Sequence, residues 1–169
     1  MRSSLPLLLV SSLLLLSTPS MAFKCYVTIM KSDCWNKHRV KFKIVDNLSE
    51  KTIIDNIHLD NDKLWVRKEF VCKAAQGLVP KVTYSPYVWE SEKDTEFATK
   101  RVWFLPVNIN KDIEAWNVPI CFPSDFATVP ILPTVNRECD CNNTKALVTP
   151  LPKPKPRPEK IKKSKRKGK

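Results

Sequence analysis

The chain has 169 residues, with 29 Lys and Arg against 17 Asp and Glu, a net charge of +12, and only two glycines. So few glycines exclude a glycine-rich phosphate loop. The charge is concentrated: 149–169 holds ten basic residues and one acid, Glu159, whereas 23–148 holds 18 basic and 16 acidic residues, which excludes a protein basic throughout.

The chain opens with Arg2, an apolar run from Leu5 to Leu16, then Pro19 and a small-residue pair, Ser20 and Ala22. This is the pattern of a secretory signal peptide, cleaved after Ala22. The run is shorter than the ~20 residues that cross a bilayer as a helix. The residues before Cys25 lack the small-residue pattern of a lipoprotein. The expected compartment lies outside the cytoplasm, periplasmic or extracellular.

Next come short segments rich in strand formers: "FKCYVTIM", "HRVKFKIVD", "KTIIDNIHL", "KLWVRKEFVC", "KVTYSPYVW", "FATKRVWFLPV" and "NVPIC". In the second, Val40, Phe42 and Ile44 alternate with Arg39, Lys41 and Lys43, the period of a half-buried strand. In the first, Phe23, Cys25, Val27 and Ile29 share a face. The one helical candidate is "NINKDIEAWNV", a turn or two long. Short strands at this spacing predict an all-β fold: a single disulfide-stapled antiparallel β-sandwich, immunoglobulin-like in arrangement, with a disordered basic C-terminal tail. The expected organisation is a signal peptide at 1–22, a sandwich body at 23–118, a Pro/Cys-rich strap at 119–148 and the tail at 149–169.

The strap has four prolines, which sheets confine to edges and irregular segments. Its apolar side chains are expected to cover an edge or open end of the sheet, or to meet a partner. Phe122 and Phe126, with the neighbouring Trp116, are the candidate partner contacts. In the tail, "PLPKPKPRP" favours polyproline II, a spacer of ~28 Å at ~3.1 Å per residue. It carries Lys162, Lys163, Lys165, Arg166 and Lys167, the candidate electrostatic contacts. The tail lacks aromatic residues for base stacking, so nucleic acid is not expected. An acidic protein surface, an anionic membrane or the cell wall is.

Six cysteines, Cys25, Cys34, Cys72, Cys121, Cys139 and Cys141, suit three disulfides of fifteen possible connectivities. Cys139 and Cys141 are expected to reach two different partners. No zinc spacing, C-x-x-C, G-x-S-x-G or H-E-x-x-H is present. Asp60 and Asp62 begin like a calcium loop, but the Gly and the distal Glu are missing. Glu90, Glu92, Asp94 and Glu96 read as a solvated loop rather than a glycosidase pair. His38 and His58 read as structural. The expectation is a protein without enzymatic activity, metal or cofactor. Tripeptides at Asn47 and Asn142 would be glycosylation acceptors in a eukaryotic secreted protein.

Taken together, "FKCYVTIMKSDCW", "YSPYVWES", "VWFLPVNI", "AWNVPICFPSDFATVP" and "CDCN" resemble the EirA-like periplasmic proteins associated with the Dot/Icm type IVB secretion system of Coxiella and Legionella. The likeness covers about 23–142 and is one of layout, without a diagnostic motif, so no site residue is carried over. It implies a non-enzymatic accessory protein supporting effector translocation and intracellular replication through contacts with secretion-system components. The rival reading is a carbohydrate- or peptidoglycan-binding module using an exposed Trp among Trp35, Trp89 and Trp116.

Overall fold

The computed structural model describes residues 22–108, 116–142 and 144–152. Among these residues, eight strands build two sheets: β1 (Ala22–Lys31), β2 (Arg39–Asp46), β3 (Thr52–Leu59), β4 (Trp65–Lys73), β5 (Gly77–Ser85), β6 (Phe97–Ala98), β7 (Trp103–Phe104) and β8 (Trp116–Phe122). The smaller sheet runs β4-β1-β8 and the larger β3-β2-β5-β6, with β7 also on β5. The all-β expectation holds, and the two sheets pack face to face. The predicted helix does not form over 116–118, which opens β8, nor at Asn108, and its residues 109–115 lie outside the described residues.

Alternation decides which side chains fill the sandwich. Val27 and Ile29 of β1 face Val40, Phe42 and Ile44 of β2 across the core, joined by Leu78 and Val82 of β5 and by Val118 and Ile120 of β8. Burying an aliphatic side chain of this size contributes ~1.5–3 kcal/mol. Gly77, which opens β5, sits where a side chain would not fit. A Cβ there would lie 2.9 Å from the Asn47 Cβ and 3.0 Å from the Phe104 ring.

Two features depart from the expected antiparallel sandwich with an appended strap. First, β8 pairs with β1 in parallel, Val27 beside Val118 and Ile29 beside Ile120. Every other strand pair is antiparallel. Second, β8 crosses the boundary placed between 118 and 119, so the strap begins inside the sheet. Pro119 is tolerated because β8 is an edge strand, where an absent N–H leaves no ladder partner unsatisfied.

The disulfides are Cys25–Cys72, Cys34–Cys139 and Cys121–Cys141. Cys139 and Cys141 thus reach different partners. Cys25–Cys72 joins adjacent strands of one sheet, unlike the inter-sheet bridge of antibody domains. The other two fasten the C-terminal segment at one end of the sandwich. Three disulfides place the folded protein in an oxidising compartment. No helix among the described residues is long and apolar enough to cross a membrane.

Candidate functional site

The strap residues proposed as partner contacts occupy the core instead. Phe122 is 0% and Phe126 2% exposed. The cause is local. β8 alternates Val118, Ile120 and Phe122 inward, so its last ring enters the sandwich end. There Phe122 packs on Trp35 at 4.8 Å between centroids and on Phe126 at 5.7 Å. Phe126 also reaches Phe42 at 5.9 Å. Such aromatic pairs add ~0.5–1.5 kcal/mol beyond burial.

Trp35 is likewise buried, against Tyr84 as well as Phe122, and drops out of the sugar-stacking set. Trp89 and Trp116 are exposed but do not converge. Trp89 follows β5, at the end where β2 begins. Trp116 pairs with Cys25 near the start of β1, at the opposite end. The basic cluster of Lys162, Lys163, Lys165, Arg166 and Lys167 lies outside the described residues, as do residues 1–21 of the expected signal segment 1–22.

The strap does bind the outer face of the smaller sheet. Beyond Cys141 it packs Ala146 and the Cys121–Cys141 bridge on Met30, with Trp65 at the margin. Arg67, on the outward face of β4, then grips the chain. Its Nη1 donates to the Pro150 carbonyl at 2.9 Å, and its Nη2 to those of Ala146 and Thr149 at 3.2 and 3.0 Å. Nε donates to Thr28 Oγ1 at 2.8 Å, and that hydroxyl donates to Asn117 Oδ1 at 2.7 Å. The planar guanidinium fork suits such a task, because its donors diverge at fixed angles. The tail expected to begin at 149 is therefore bound through Pro150.

The strap is also held at the Trp35 end. Arg137 pairs with Asp33 at 2.8 Å beside the Cys34–Cys139 bridge, and holds the Asp33 carboxyl below its usual range. Close by, the Lys31 side chain is fully buried. Its ammonium donates to the carbonyls of His38, Asp60 and Asn61 at 2.9, 2.7 and 3.1 Å. Burial pushes the Lys31 pKa down, while Asp60 and Asp62 oppose that shift. The acidic loop that resembled a calcium site thus turns two carbonyls onto an ammonium of the chain itself.

Other polar groups considered for chemistry are engaged in structure. His38 Nδ1 lies 2.8 Å from the Pro86 carbonyl, which can only accept, so this nitrogen carries the proton. Glu92 accepts from the Tyr84 hydroxyl and the Trp89 N–H. Burial, with Glu92 beside it, pushes the Tyr84 hydroxyl up. Glu96 pairs with Lys43 at 2.6 Å and Lys81 at 3.6 Å. No cluster of His, Cys, Asp and Glu among the described residues could hold a metal.

Sequence reasoning missed Arg67 and Lys31. Alternation in "KLWVRKEFVC" points Arg67 outward, but its carbonyl partners are 79–83 residues away. The signal available for Lys31 was a cation directly after the apolar pair Ile29 and Met30 at the end of the strand.

Comparison of the chain with protein-family models, with curated proteins and with solved structures returned no match.

Proposed function

We propose that this chain is an exported, non-enzymatic accessory protein of the bacterial periplasm that docks on an envelope secretion complex of the type IVB (Dot/Icm) class. The sandwich and strap make the specific contact, and the basic tail adds electrostatic attachment to an acidic surface of that complex or the adjoining membrane. The observation that carries the reading is the Arg67 clamp on Ala146, Thr149 and Pro150. It starts the cationic segment from a fixed point on a disulfide-stapled body. A tethered second contact raises the effective concentration of the first, and basic residues near an anionic membrane contribute ~1 kcal/mol each. The engagement of Glu92, Glu96 and His38 in structural bonds supports a binding role over catalysis.

The test is deletion of 153–169, which spares the carbonyls that Arg67 holds. The truncated protein is expected to keep its fold and to leave the envelope fraction at lower salt than the full chain. Identical fractionation across the salt series would overturn the electrostatic role of the tail.

A further inference from the structure

The opposite outer face, on the larger sheet, carries a groove that the docking reading does not use. Its floor follows from register. Lys41 of β2 stands between His58 of β3 and Thr83 of β5. One wall is the segment between β5 and β6, and it is fixed at three points. His38 holds the Pro86 carbonyl, Glu92 joins Tyr84 to Trp89, and Glu96 ties to Lys43 and Lys81. The groove encloses about 300 Å³ over Lys41, His58 and Thr83, with Arg39, Tyr87 and Asp94 around it. A lobe of about 210 Å³, sharing Lys41 and Thr83, extends it toward Glu96.

The cations here are not equivalent. Arg39 commits its Nε to Asp60 at 3.0 Å, and Lys43 and Lys81 share Glu96. Among the described residues, no carboxylate or carbonyl lies within bonding distance of the Lys41 ammonium, and the His58 ring likewise has no partner. An ammonium on the groove floor beside an imidazole and a hydroxyl is a seat for one anionic group. Asp94 across from it can only accept hydrogen bonds, so it calls for hydroxyl or amide donors. The half-exposed Tyr87 ring offers a flat apolar face at the rim. A polyphosphate such as nucleic acid does not suit the groove, because Asp55, Asp94 and Glu96 stand among the cations and would repel a row of phosphates.

We propose that this groove binds a saccharide bearing a carboxylate, with the carboxylate on Lys41, ring hydroxyls or amides on Asp94 and Thr83, and a sugar face on Tyr87. This assigns carbohydrate binding to a sheet face rather than to an exposed Trp. It stands independently of the docking proposal, since Arg67 and the 146–150 stretch it holds belong to the other sheet.

The experiment is titration of the full-length mature protein, followed by backbone NMR shifts and calorimetry. The probes are a muramyl disaccharide, a hyaluronan tetrasaccharide, neutral chitobiose and inorganic phosphate. Binding of either acidic sugar, with shifts centred on Lys41, Thr83 and Tyr87, is the expected result. Which of the two binds tells a cell-wall source from a uronic-acid source. Lys41→Ala should weaken the acidic sugar about tenfold, the loss of ~1.4 kcal/mol, and Tyr87→Ala should weaken it without changing the fold. Equal binding by Lys41→Ala would assign uptake to the basic tail and overturn the proposal. So would chitobiose or phosphate binding as tightly as the acidic sugars, or no binding by either acidic sugar.

Discussion

The two outer faces of the sandwich arise from the same alternation and end up in opposite states. On the smaller sheet, Thr28, Met30 and Cys121 point outward yet are buried, because Cys141 and 144–150 lie over them. On the larger sheet, Arg39 and Lys41 point outward and stay exposed. Period-2 patterning specifies which side chains leave the core, and it does not specify whether another part of the chain covers them. The covered face takes the covalent bonds: two of the three disulfides and the Arg67 fork hold the strap. The open face takes ion pairs and a groove. Stability should therefore respond to changes on the strap side, and ligand binding to changes on the other.

The largest effect is expected from the long-range bridge. Replacing Cys34 and Cys139 together by Ser opens a loop with a sequence separation of 105 residues, worth ~5 kcal/mol on the loop-entropy model. Opening Cys121–Cys141, separation 20, should cost ~3 kcal/mol. Non-reducing guanidinium titrations would rank them, and the reverse order would remove the strap's anchoring at the Trp35 end from the account. Phe122→Ala comes next, at ~3–5 kcal/mol, because its ring is enclosed by Trp35, Phe42 and Phe126. A substitution without effect on the melting curve would return Phe122 to the surface and revive it as a partner contact.

Arg67→Ala should cost ~1–3 kcal/mol through the carbonyls it leaves unpaired. Hydrogen exchange should accelerate at 146–150 while β2 and β5 stay protected. The same substitution at Lys41 on the open face should change stability by less than ~0.5 kcal/mol. Comparable destabilisation by both would erase the distinction between the two faces.

A further effect is acid sensitivity. Asp46 ends β2, and its carboxyl is held down to about 2 by bonds from the Gln76 amide and the Ser49 N–H. A depressed carboxyl stabilises the native state above the unfolded pKa of 3.8, and that contribution is lost as pH falls through about 2. Asp33 is shifted the same way by Arg137, so the strap contact also weakens on acidification. Asp46→Asn should flatten the fall in melting temperature between about pH 4 and pH 2. An unchanged slope would place the acid-sensitive contact elsewhere, with Asp33 the next to test.

Much of the sandwich was legible in the sequence, and β2 shows why. Its alternation of Val40, Phe42 and Ile44 with Arg39, Lys41 and Lys43 holds as far as Ile44, so both faces of that stretch follow. β8 was half legible. Pro119 suggested an irregular strap, because the rule against proline in sheets relaxes only at edges, and edge position is a tertiary fact. Assigning Phe122 to the surface followed from that reading. "FATKRVWFLPV" reads as one strand but pairs with β5 as two short pieces, β6 and β7. Disulfide pairing, the Arg67 clamp and the Lys41 groove depend on residues brought together from far apart in the chain, which leaves no local pattern to read.

The most direct test of the docking account is lysine-directed cross-linking of the protein in its native envelope, read by affinity purification and mass spectrometry. The account predicts cross-links from Lys145 on the strap and from Lys162, Lys163, Lys165 and Lys167 in the tail to components of one secretion complex. Recovery of only cell-wall material or abundant unrelated envelope proteins would contradict it, and would leave the saccharide groove as the functional surface of the molecule.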